Sequence, residues 1–109
     1  MTTIITTQDG DLVFNPTYIF VSPCYSIGSK WDGESDKPTG YNIVAFAGGK
    51  TIYLTKEFNP RCEAYAKRIV LQIREEILSE PGRVADVDVA VVINALYGEK
   101  AKELFKEDE

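Results

Sequence analysis

The stretch "AGGKT", Ala47 to Thr51, ends like a phosphate-binding loop. That loop follows G-x-x-x-x-G-K-[ST], and its first glycine lets the backbone curl so that N–H groups converge on the phosphates before a helix begins. Five positions before Gly49 stands Val44, which cannot curl that way cheaply. Asp32, Glu34 and Asp36 alternate like the start of a calcium loop, but the sixth and twelfth positions would be Lys37 and Ile43 instead of glycine and glutamate. Cys62 falls in the first turn of an expected helix, where the dipole favours a thiolate. With no histidine to activate it, it reads as an inert or partly buried thiol.

The chain has no histidine. That removes the commonest general base, the commonest metal ligand and every Ser–His or Cys–His catalytic arrangement. Its two cysteines, Cys24 and Cys62, lack C-x-x-C spacing and further ligands, which argues against zinc and for free, reduced thiols in a cytoplasmic protein. No catalytic residue, cofactor or metal site is expected. Trp31, flanked by Lys30 and Asp32 in a polar loop, is the residue best suited to anchor a partner, since interface hot spots favour tryptophan. Folding back onto the loop's own base is the competing fate for that ring. Lys50, Lys56 and Arg61 are the cations that would hold an anion in a pocket between sheet and helix.

A chain of 109 residues fits one domain. Hydrophobic residues at 44% and charged residues at 27% are ordinary for a globule. The net charge of −5 offers no basic face for nucleic acid. The opening "MTTIITTQDG" is not built like a signal peptide, and no apolar run reaches bilayer length.

The elements that must position these residues read as α+β. An antiparallel meander of four to six strands is expected over 1–58, capped by one long amphipathic helix over 59–80, with a further strand and/or helix over 84–106. "TIIT" and "LVF" are short strands around the Asp9-Gly10 turn, and "TYIFVS" is a third run that Pro23 confines to an edge or a bulge. "YNIVAFA" and "TIYLTKEF" flank Gly48-Gly49, which supply the positive φ angles of a tight hairpin. "GGKT" is therefore a turn between strands. In "NPRCEAYAKRIVLQIREEILSE", Asn59 is placed to cap the helix through its side chain and Pro60 to open it. Ala66, Ile69, Val70, Ile73 and Ile77 form its apolar stripe, with Arg74 off it. "DVDVAVVIN" alternates as a strand before a helix near 95–106; one helix running from an Asp86 cap to the end is the rival.

"IITTQDG" followed by "YNIVAFAGGKTIYLTKEFNPRCEAYAKRIVLQI" resembles a loose group of small proteins from phages, prophages and Gram-positive bacteria. The matching positions are Ile52, Leu54, Phe58 and Ala64; Thr55, the Trp31 loop and the tail beyond Pro81 depart from the pattern. The resemblance implies an antiparallel sheet capped by a helix, distantly like a pleckstrin-homology half-barrel. The favoured function is a non-enzymatic protein-interaction module, a phage-derived factor binding a host protein through the Trp31 loop or an exposed sheet edge. The other reading is a small-molecule or anion binder, or a minor enzyme.

Overall fold

The computed structural model describes residues 2–25, 37–79 and 84–106. Six strands lie among them in two three-stranded sheets: β1 Thr2–Thr6, β2 Leu12–Phe14, β3 Tyr18–Cys24, β4 Gly40–Ala47, β5 Lys50–Tyr53 and β6 Val84–Asp88. One sheet has the order β2-β1-β6 and the other β3-β4-β5. A single-turn 3-10 segment, Pro60–Cys62, leads into α1, Glu63–Ser79; α2 spans Val89–Tyr97 and α3 Ala101–Leu104. The expected class holds: helix-capped, mostly antiparallel sheets, here without closure into a barrel.

The strands divide where the meander was expected to continue. β1 takes β2 antiparallel on one side and β6 parallel on the other. Ile5 lies level with Val13 and Val87, and this row of apolar side chains points into the core. Residues of one strand alternate between faces, so Leu12 and Phe14 on either side of Val13 are left exposed. α1 buries Ala66, Ile69, Val70 and Ile73 of the expected stripe, with Ile77 only partly buried, against a core that also takes Ile19, Ile43, Leu54 and Phe58. Each such large side chain contributes about 1.5–3 kcal/mol when fully buried.

The β4–β5 hairpin turns on Gly48 (φ 60°) and Gly49 (φ 78°), as the glycine pair predicts. β5 is shorter than the expected 51–58 strand. It ends at Tyr53, and only Phe58 rejoins the ladder, bridging Tyr41 on one side and Phe105 on the other. Asn59 does not cap through its side chain. Its carbonyl accepts the Cys62 N–H at 2.9 Å, while its carboxamide nitrogen donates to the carbonyls of Glu103 (3.0 Å) and Phe105 (3.1 Å). The side chain that local reasoning assigns to a cap thus straps down the C-terminal segment, a long-range use that spacing does not encode.

The 84–106 region is a strand followed by helix, with the change earlier than the alternation predicts; the rival single helix fails, because Asp86 lies within β6 and Asp88 is the cap. The strand stops at Asp88, whose carboxylate accepts the N–H groups of Ala90 (3.0 Å) and Val91 (3.3 Å) and so starts α2. Val89, Val92 and Ile93 are buried at helical spacing, whereas Val91, which strand alternation would bury with Val89, is 63% exposed. Gly98, at φ 57°, breaks the expected 95–106 helix into a 3-10 turn and α3.

Candidate functional site

Among the described residues β3 is one outer strand of the second sheet, β5 being the other, and no strand pairs its far side. Which of its backbone groups face outward follows from the pairing. The Leu54 N–H donates to the Ile43 carbonyl at 2.8 Å, and Tyr41 and Phe58 exchange both bonds, so odd-numbered residues of β4 bond on the β5 side. In an antiparallel strand successive residues bond to opposite sides, so Asn42, Val44 and Phe46 bond β3. Their partners are Ser22, Phe20 and Tyr18, which leaves Ile19, Val21 and Pro23 pointing away from the sheet. Proline has no N–H, which blunts that end of the edge. Ile19 and Val21 keep theirs.

α1 runs beside this edge, and Arg74 reaches across to it. The Arg74 guanidinium donates to the outward Ile19 carbonyl at 2.7 Å. On one side of Arg74 a cleft of about 370 Å³ is lined by Pro16, Tyr18, Ile19, Ile77 and Leu78. On the other, a cleft of about 330 Å³ is lined by Phe20, Val21, Lys67, Val70 and Leu71. Leu78 is 84% exposed and Leu71 50%. Arg74 and Lys67 are the charges that line the pair, and no acidic residue does among the described residues. The whole is an apolar groove between the outer side of β3 and a helix, crossed by one cation.

Sequence reasoning placed Arg74 on the solvated side of α1 and missed its reach to β3. The signal was present as a second line of residues, Lys67, Leu71, Arg74 and Leu78, at helical spacing beside the main stripe. Trp31, Lys30 and Asp32 lie outside the described residues, in the segment joining β3 to β4. Lys50 is exposed at the β4–β5 turn and Arg61 at the head of α1, so neither joins Lys56. Lys56 instead meets Lys102 and Lys106 around a different cleft.

The cysteines are free. The Cys24 thiol donates to the Asn42 side-chain oxygen at 2.9 Å. Burial, reinforced by the nearby Glu57 charge and opposed by Lys106, pushes its pKa above the ordinary thiol value. A protonated, hydrogen-bonded thiol is a poor nucleophile. Cys62 is buried in the core. No cluster of three or more acidic or cysteine side chains stands ready for a metal ion, and no helix is long and apolar enough to cross a membrane, among the described residues. No family model matches the chain, and neither does any curated protein or solved structure.

Proposed function

We propose that the chain is a non-catalytic protein-interaction module that captures an extended segment of a partner protein along β3. The observation that carries this reading is the β3 edge, which no other strand among the described residues pairs, and whose outward Ile19 carbonyl accepts the Arg74 guanidinium. An incoming strand would form main-chain bonds at Ile19 and Val21 and displace Arg74, whose guanidinium is then free for a partner carboxylate. Side chains on one face of that strand would enter the clefts around Leu71 and Leu78. The fitting segment therefore alternates apolar residues and carries an acidic group between them. Resemblance to phage proteins favours a host protein as its source. Trp31, with Lys30 and Asp32, belongs to the same proposal as an adjoining anchor, because the chain runs into that segment directly from β3.

A displayed library of random peptides, selected on the intact protein, tests the reading. Selected peptides should show the alternating apolar and acidic pattern. Methylating their alternate backbone nitrogens should weaken binding about tenfold or more, as should Arg74→Glu, a loss of roughly 1.4 kcal/mol per tenfold step. Peptides whose binding ignores both changes would refute capture at this edge.

A further inference from the structure

A cleft distinct from the β3 groove brings three lysines together. Gln8, Lys56, Ala90, Ile93, Asn94, Ala101, Lys102, Phe105 and Lys106 enclose about 360 Å³. Three distant parts of the sequence meet there: the turn after β1, the loop after β5, and the α2–α3 region. In a chain with 17 acidic and 12 basic residues, three lysines line this cleft and no carboxylate does. Lys106 is paired with Glu57 at 2.9 Å, but Lys56 and Lys102 have no carboxylate within ion-pair range among the described residues.

The other walls are as specific. The Gln8 side-chain oxygen accepts the Lys56 backbone N–H at 2.8 Å, and the Gln8 N–H donates to the Leu54 carbonyl at 2.8 Å. That fixes the carboxamide by its oxygen and leaves its NH2 group as a donor. Asn94, from α2, adds a second carboxamide. Ala90, Ile93, Ala101 and Phe105 supply an apolar floor, and Phe105 is itself braced against Phe58 at 4.5 Å between ring centroids. A few convergent donors over an apolar floor is how small-ligand sites are generally built.

We infer that this cleft binds a small organic anion, a carboxylate or phosphate ester carrying a flat apolar body. The charged group sits between Lys56 and Lys102, and the body lies on Ile93 and Phe105. This site is separate from the β3 groove and stands or falls independently of it.

Phenyl phosphate and benzoate are suitable probes, with benzyl alcohol as the neutral counterpart and inorganic phosphate as the bare anion. At least one ring-bearing anion should raise the melting temperature with increasing concentration, because a ligand that binds only the folded state stabilises it. The same probe should shift the amide resonances of Ala90, Ile93 and Ala101. Whichever of the two binds more tightly identifies the headgroup. Lys102→Glu, at an exposed position, should weaken binding about tenfold or more, and Lys50→Glu at the exposed β4–β5 turn should leave it unchanged. Failure of both ring anions to bind overturns the inference. So does inorganic phosphate binding as tightly as phenyl phosphate, benzyl alcohol binding as well as the anions, or an equal loss in Lys50→Glu.

Discussion

Asn59 shows how much one side chain can do beyond its local role. Its backbone N–H donates to the Leu104 carbonyl at 2.8 Å, and its carboxamide holds the carbonyls of Glu103 and Phe105. Together with the Lys106 N–H donating to the Glu57 carbonyl at 3.0 Å, these bonds fix the C-terminal segment beside Phe58. Asn59→Ala keeps the backbone bonds but leaves two carbonyls without their donor. A net hydrogen bond is worth about 0.5–1.5 kcal/mol, so the variant should lose roughly 1–3 kcal/mol in denaturant unfolding. It should also speed amide exchange at Phe105 and Lys106. Unchanged stability and exchange would mean that the strap is not what holds this segment. Gln8 has a comparable long-range role across the other side of the cleft, where its oxygen ties Lys56 to the β1 turn. Neither role is visible in sequence, because each partner lies more than forty positions away.

At the scale of elements, the sequence was most legible where a period or a turn residue acts alone. The α1 stripe follows from spacing, and the Gly48-Gly49 hairpin follows from a backbone conformation that few other residues adopt. Pro23 confines β3 to an edge or a bulge for the same kind of local reason, and β3 is an outer strand of its sheet. What spacing did not reveal is pairing. β6 joins β1 in parallel, and a parallel partner can come from anywhere in the chain. The strand-to-helix change at Asp88 was equally hidden, because Val87, Val89, Val91 and Ile93 satisfy alternation until the Asp88 cap redirects the backbone. The candidate edge was therefore foreseeable as an edge, but its facing helix was not. α1 itself gives a clear test. Ile73 is fully buried at the centre of the shared core, and Ile73→Asp would place a carboxylate there without a partner. The loss should be at least ~4 kcal/mol, a large share of the about 5–15 kcal/mol that holds a domain together, so the melting temperature should fall steeply. A melting temperature close to wild type would contradict this packing.

For the whole molecule, one core serves two unrelated surfaces. The helix that closes the core also walls the β3 groove, and α2 and α3 wall the lysine-lined cleft. The outer face of the β3-β4-β5 sheet carries Tyr18 stacked on Phe46 at 5.3 Å, with Phe20 and Tyr53 beside them. It therefore offers a third apolar surface for a partner to choose. Whether β3 takes a further strand is read from nuclear Overhauser contacts between a selected peptide and the protein. Capture at this edge gives cross-strand contacts from the peptide backbone to Ile19 and Val21, with shifted resonances at Leu71, Arg74 and Leu78. Contacts confined to Tyr53 and Phe46 on the outer face, or to the segment around Trp31, with Ile19 and Val21 undisturbed, would contradict it.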